Sequence, residues 1–518
     1  MRWVICGVAA LAVGCALLVQ QPGCSEGGQY ALVRALADGT PTIDRYHWST
    51  CDTSWYRQHF YTAKGPGLAL ASVAPYLVLQ SAGIVWNEIP PVDGHLHGIP
   101  GKAVWPFTVA LVVLSACLLF LLMARLAERV APGFGTFAAV VIALGTMLLP
   151  YSTLFVSHVP AAMLGFAAFV VLRAERQGSR SLFRLAVGGC LAGLALVVDL
   201  PMGLTAVVLA GYAASRGPYP SRILACAGGG VVGVLPLLAF NYWAFHNILH
   251  QSYDDTVAIA GQSGHDQLGG NTNGFFGIAM PSVNVAARLL LLHRGLLVTT
   301  PVVAAACAGL VLLIRLREWR AEAVTIIVLI AAYLIYNAGY YQPFGGDSSG
   351  PRFLIPILPF LALPLALAFR RFPLATGVLA AISVLTMLTA TITQPMLQAD
   401  DTKTWFSRAA HGAFSDTLLT RAGIGTHTIA VAPVVLLLVV ALGFAFATLA
   451  RPKISRRDAT VAVVALVVWA VLGSAAPALL SSHLAEPAST ALALVLLVVG
   501  VLLVTVAVRR PLSVSTAN

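Results

Sequence analysis

The stretch Val104-Trp-Pro-Phe-Thr-Val-Ala-Leu-Val-Val-Leu-Ser-Ala-Cys-Leu-Leu-Phe-Leu-Leu-Met-Ala124, closed by Arg125-Leu-Ala-Glu-Arg129, decides the fold. About 20 uninterrupted apolar residues cross the hydrocarbon core as one helix, and a basic patch directly behind them marks the cytoplasmic edge. The pattern recurs. Apolar runs begin near residues 3, 104, 133, 158, 185, 202, 222, 295, 323, 353, 373, 430, 459 and 489. Of the 518 residues, 58% are hydrophobic and 10% are charged, against roughly 25% charged in a soluble domain. This composition excludes a soluble globular protein, a disordered chain and a nucleic-acid-binding module. The chain is an all-α polytopic membrane protein.

The connectors set the topology. Arg125–Arg129, Arg173-Ala-Glu-Arg-Gln-Gly-Ser-Arg180, Arg315-Leu-Arg-Glu-Trp-Arg320, Phe369-Arg-Arg-Phe-Pro373 and Arg451-Pro-Lys-Ile-Ser-Arg-Arg457 are short and basic. With these and both termini in the cytoplasm, that side receives 20 of the 31 Lys and Arg and 5 of the 20 acids. The resulting charges are +15 inside and −4 outside, and all 12 His fall outside. That is the asymmetry of the positive-inside rule.

The count is 13 or 14 spans. It requires that Gly67–Gly83, interrupted by Pro75, lies at the outer interface without crossing. It also reads Asp199-Leu-Pro-Met-Gly203 as a tight outer turn, not a kink, with Asp199 as a structural cap. The first 20 residues are expected to remain as a span and not to be removed as a leader. Residues 1–370 are expected to form a catalytic module, and residues 371–518 a set of C-terminal helices.

Three outer loops exceed simple connectors: 21–103, 244–294 and 394–429. The cytoplasmic connectors leave no room for a domain, and no phosphate-binding glycine loop is present. Chemistry is therefore expected outside, on a membrane-delivered substrate. The first loop holds Ser25-Glu26-Gly-Gly-Gln-Tyr30-Ala, Gly39-Thr-Pro-Thr-Ile-Asp44, Cys51-Asp52-Thr-Ser-Trp55-Tyr56-Arg57-Gln-His59-Phe-Tyr61 and Thr62-Ala-Lys64-Gly-Pro-Gly67. Glu26, Asp44 and Asp52 are candidate general bases, and Lys64 is a candidate anion anchor. The alternative is a solvated loop with capping acids and a snorkelling lysine. Of the eight cysteines, six lie in apolar runs. Cys24 and Cys51 lie in this loop on the oxidising side, where a disulfide is expected to add about 3 kcal/mol in the chain-entropy model. It would also hold Glu26 near Asp52. Two free thiols are the alternative.

Further out, Tyr340-Tyr-Gln-Pro-Phe-Gly-Gly-Asp347-Ser-Ser-Gly-Pro-Arg352 offers a glycine turn and an arginine able to grip phosphate. Its alternative is an interfacial turn. Arg294, in His293-Arg294-Gly295, is a weaker candidate of the same kind. His265 and Asp266 sit in a flexible polar stretch that reads either as an acceptor-binding lid or as a disordered loop. His47 and His59 with Asp44 and Asp52 leave a divalent cation open, although their spacing matches no known ligand set.

The segment Glu26-x-x-x-Tyr30-Ala, a loop ending in Tyr61-Thr-Ala-Lys64-Gly-Pro-Gly67, and their position after a first span resemble the membrane glycosyltransferases of the GT-C superfamily. Within it they resemble the family 39-like branch of protein O-mannosyltransferases and lipid A aminoarabinose transferases. The resemblance covers the topology to about residue 370, with the motif confined to the first loop. It implies juxtamembrane helices there, a polyprenyl-phosphate sugar as donor, and an inverting transfer to a glycan, lipid or protein acceptor. It assigns the acceptor-activating acid to Glu26 and the lipid-phosphate contact to Lys64. Gly65-Pro66 replaces the family's Pro-Pro, and the spacing from acid to lysine is longer. In looser relatives the acids at 44 and 52 are the more regular feature, so Asp52 stands beside Glu26 and ahead of Asp44. Tyr30, Trp55, Tyr56, His59, Tyr61, His265, Asp266 and Asp347 complete the expected substrate loops. High-GC codon usage, suggested by the Ala/Val/Gly/Arg-rich composition, points to arabinose or mannose donors.

Two other classes compete. A transporter or flippase needs ionisable groups inside its spans and paired repeats, and neither is evident. A polysaccharide polymerase or ligase would lean on outer arginines in place of a first-loop carboxylate.

Overall fold

A computed structural model describes residues 2–178, 180–217, 220–256, 277–397 and 403–480, together with residues 487 and 491. The expected final span near 489 and the residues His265 and Asp266 lie outside the described residues. Helix dominates. Among the described residues, eight helices are long and apolar enough to cross a membrane: Gly101–Val130, His158–Gln177, Pro220–Phe245, Arg317–Gly339, Arg352–Arg371, Pro373–Thr393, His427–Ala447 and Arg456–Leu480. Shorter apolar helices occupy Arg2–Leu17, Gly135–Leu144, Leu182–Val198 and Met202–Ala214. The run from 295 is not one straight span: Val283–Thr299 and Val302–Leu313 meet at 88°, with Pro301 at the break. Proline has no N–H for a preceding carbonyl and clashes with the previous turn.

Prolines shape two further spans. Pro106 lies just before a π-helical segment at Thr108–Val113 in the Gly101–Val130 helix. Pro356 and Pro359 sit in a 3-10 stretch, Arg352–Leu361, that opens the Arg352–Arg371 span. One continuous apolar core runs from Ala10 to Ala445, and His427–Ala447 packs on Arg2–Leu17.

The two ends of the bundle differ chemically. At one, Arg222 makes a bidentate pair with Glu175 at 2.7 and 2.8 Å, and Arg216 reaches the same carboxylate at 3.4 Å. Arg184 donates to the Ala174 carbonyl nearby. The helix Met202–Ala214 therefore returns to the end from which Leu182–Val198 starts, so Asp199–Gly203 is a turn. The side chain of Asp199 does not cap a helix, contrary to expectation. It bonds His158 instead.

The opposite end carries the long loops. Helix Gly67–Ser81 has 15 residues, about 22 Å, which is short of the roughly 30 Å core. It packs on Cys24–Ala37, and Gln29 holds Gly65 before it at 3.3 Å. Tyr76 and Arg34 hold Asn87 and Glu88 after it. Both flanks thus stay in one layer, and the helix is juxtamembrane.

Candidate active site

Glu26 opens the site. It lies in the first turn of Cys24–Ala37, where its Oε2 accepts from the Gly23 N–H at 3.1 Å. Such pairing satisfies one of the donors that every helix start leaves free. The side chain is 1% exposed, and among the described residues Oε1 has no hydrogen-bond partner. Burial away from water pushes its pKa up to about 7, against the pull of the Gly23 N–H and the Arg352 charge. Beside it, Gln20, Pro22, Trp105, Thr108 and Thr153 line a small cavity with room for about one water molecule.

The rest of the loop is folded against this helix start. Cys24 and Cys51 form a disulfide with Cα atoms 5.2 Å apart. The Thr50 hydroxyl donates to the Cys24 carbonyl at 2.6 Å, and the Ser25 hydroxyl donates to Asp52 Oδ2 at 3.0 Å. Gly27 is required by this approach, since a Cβ there would lie 2.3 Å from the Ser49 carbonyl oxygen. The disulfide sits two residues from Glu26 and one from Asp52, and it draws the two carboxylates into one electrostatic neighbourhood.

Asp52 Oδ2 pairs with Lys64 Nζ at 2.9 Å, with both side chains mostly buried. Lys64 follows a hairpin whose strands Thr53–Tyr56 and His59–Thr62 pair Thr53 with Thr62 and Tyr56 with His59. Its two-residue turn, Arg57–Gln58, places both residues at positive φ, the conformation of a tight hairpin. Asp44 pins that hairpin: it accepts from the Phe60 N–H at 2.6 Å and pairs with His59 Nδ1 at 2.8 Å. Asp44 therefore has a loop-folding contact set, distinct from those of Glu26 and Asp52.

Arg352 enters from the far side of the sequence. It is buried, and its charge acts on Asp52, Tyr151, Tyr340 and Asp199. Its side chain lies against Gly345, where φ is +79° and a Cβ would be 2.3 Å from Nε. Arg294 is also buried, but its Nη1 donates to the carbonyls of Gly346, Ser348 and Leu397, at 3.3, 3.3 and 2.8 Å. It braces the loop that carries Gly345. Asp347 is exposed on that loop.

The aromatic candidates divide. Tyr30 donates to the Trp86 carbonyl at 2.8 Å and packs on Tyr76, Trp86 and Phe107, which makes it a core residue of the juxtamembrane layer. Tyr61 donates to the Ala244 carbonyl, while Tyr56 packs on Phe245 and His250. Both tie the hairpin to the helix Pro220–Phe245. Trp55 is 42% exposed beside Phe60. Among the described residues, no group of three or more His, Cys, Asp or Glu is arranged to hold a metal ion.

Three groups that the sequence reading did not single out belong here. Tyr151 interacts with Arg352 and Glu26. Tyr253 bonds the hydroxyls of Tyr340 and Tyr341. Tyr341 in turn feels Asp52 and Arg352. Their signal was faint, because each is an aromatic beside or between spans, where aromatics are common for interfacial reasons.

No family model matches the chain, and no curated protein does. Among solved structures, the chain is similar to ArnT from Cupriavidus metallidurans bound to undecaprenyl phosphate. That match has a TM-score of 0.49 at 16% identity and covers 86% of this chain and 77% of that one. The Archaeoglobus fulgidus oligosaccharyltransferase in its apo form matches with a TM-score of 0.40 at 12% identity, over 95% of this chain and 56% of that one.

Proposed function

We propose that the protein is a membrane glycosyltransferase that moves a sugar from a polyprenyl-phosphate donor to an acceptor hydroxyl at the outer face of the membrane. The observation that carries this reading is the convergence of Glu26, Asp52, Lys64 and Arg352 at the loop-bearing end of the bundle. A lipid-phosphate sugar needs no nucleotide. Its anomeric carbon is activated by a phosphate leaving group that the membrane itself presents.

In this reading Glu26 Oε1 takes the acceptor proton as the acceptor oxygen bonds to the anomeric carbon. The bond from that carbon to the phosphate oxygen breaks, and its electron pair goes to the phosphate. A pKa near 7 suits a general base at neutral pH, and typical contributions are 10²–10⁴-fold. Lys64 and Arg352 meet the charge that develops on the leaving phosphate. Asp52 positions Lys64. The first-loop motif supports the assignments of Glu26 and Lys64, and attack from the face opposite the phosphate makes the transfer inverting. Arabinosyl and mannosyl donors are the first to try.

The test is sugar transfer by the purified full chain from polyprenyl-phosphate arabinose or mannose. Glu26→Gln is expected to lower turnover by about 10²–10⁴-fold, and Lys64→Ala to raise the donor KM as well. Full activity in Glu26→Gln and Asp52→Asn alike would overturn the reading. A chain that instead moves lipid-linked sugar across vesicles without bond cleavage would be a flippase.

A further inference from the structure

The loop-bearing end of the bundle also holds a buried histidine–carboxylate pair, which the reaction above leaves unused. His158 begins the helix His158–Gln177, and Asp199 closes Leu182–Val198. His158 Nδ1 lies 2.6 Å from Asp199 Oδ2, with side chains 9% and 12% exposed. The ring is fixed from two sides by edge contacts with Tyr151 at 5.4 Å and Phe353 at 6.0 Å. Nδ1 is taken by the carboxylate, and among the described residues Nε2 makes no hydrogen bond. A carboxylate on one ring nitrogen fixes the orientation of the imidazole and leaves the other nitrogen as its working atom.

The surroundings indicate what that atom meets. Phe353 directly follows Arg352, and Tyr151, the other flanking ring, interacts with both Arg352 and Glu26. Asp199 acts on Arg352 through its charge. The pair therefore borders the guanidinium that the proposed function places on the donor phosphate. Unlike the buried carboxylates at the other end of the bundle, Asp199 is paired with an imidazole and not with an arginine or a helix start, and an ionisable residue in a membrane-spanning bundle is by default a candidate functional group.

We propose that His158, as the imidazolium, donates Nδ1–H to Asp199 and Nε2–H to the lipid phosphate, making His158 a third phosphate ligand beside Lys64 and Arg352, and that Asp199 is its positioning residue. The inference deepens the proposed function and rests on it. During transfer the acceptor proton goes to Glu26 and the electron pair of the broken bond goes to the phosphate oxygen. His158 keeps both ring protons, and its Nε2–H hydrogen bond shortens as charge grows on that oxygen.

The experiment compares binding of polyprenyl phosphate and of uncharged polyprenol to the purified full chain in nanodiscs. His158→Ala and Asp199→Asn are each expected to weaken polyprenyl-phosphate binding by about 10-fold or more, as for a hydrogen bond to a charged group. Polyprenol affinity stays unchanged, and Asp199→Glu restores part of the loss. A purely structural role would move both lipids together. Where His158→Ala does not fold, Asp199→Asn, which keeps the side-chain volume, carries the comparison. Unchanged phosphate affinity in the variants, with Lys64→Ala weakened, would overturn the inference alone. A wild-type chain that does not prefer polyprenyl phosphate over polyprenol would remove the underlying reading as well.

Discussion

Glu175 and Glu26 are equally buried, each 1% exposed, at opposite ends of the same bundle. Glu175 receives two bonds from Arg222 at 2.7 and 2.8 Å, and Arg216 lies 3.4 Å away. At the same end, Glu322 pairs with Arg173 at 3.3 Å and accepts from Tyr212 at 2.8 Å. Asp458 there receives the Leu374 and Ala375 N–H groups at the start of the span Pro373–Thr393. Glu26 has no ion pair among the described residues, and one of its oxygens has no hydrogen bond. A buried carboxylate matched by arginine ties helices together, whereas one left unmatched costs stability and is free to take a proton. In the proposed reading, the difference separates the end that holds the fold from the end assigned to the chemistry.

The strongest way to break this comparison is to neutralise each acid without changing its shape. Glu26→Gln is expected to cost about 10²–10⁴-fold in transfer rate with little change in melting temperature. Glu175→Gln leaves Arg222 facing an amide, and losing one partner of a buried pair costs about 3–5 kcal/mol. Its effect should appear as a lower Tm or loss of folded protein in size-exclusion chromatography, with the specific activity of surviving protein near normal. A reversed pattern would end the distinction.

Reducing the Cys24–Cys51 disulfide comes next. Opening a loop of 27 residues is expected to remove about 3 kcal/mol in the chain-entropy model. Because the bridge lies between Glu26 and Asp52, transfer activity should fall before the bundle unfolds, as read by comparing activity with helical circular dichroism. Gly27→Ala should act in the same direction with a smaller effect, about 1–3 kcal/mol, since its Cβ would meet the Ser49 carbonyl. A variant with unchanged activity and Tm would show that the 49–52 segment can shift without disturbing Glu26.

Much of this architecture was legible because its causes are local. Apolar runs and short basic connectors place the helices, and the structure puts Arg216 and Arg222 with Glu175, as the turn at Asp199 required. Cys24 and Cys51 stood out as the two cysteines beyond the apolar runs. The Glu26, Asp52 and Lys64 neighbourhood was readable because one loop contains all three. What could not be read depends on distant segments. Arg294 resembled a phosphate ligand until Leu397, 103 residues away, was seen to accept from it. His158 and Asp199 meet across 41 residues. Their only signal is that each stands alone at the same end of adjacent apolar runs. Pro301 and Pro106 had visible chemistry, but whether a proline bends a span or is absorbed as a π segment depends on packing that no periodicity encodes.

The central claim, that an unpaired buried Glu26 serves as the base, is tested most directly by the pH dependence of kcat/KM for sugar transfer. Burial raises the pKa of Glu26 to about 7, so the active carboxylate form is lost as pH falls through that value. Wild-type kcat/KM should rise from pH 6 to pH 8 with an inflection near 7, and the residual activity of Glu26→Gln should lack that limb. A wild-type profile that is flat across this range, or a limb that survives in Glu26→Gln, would contradict the account.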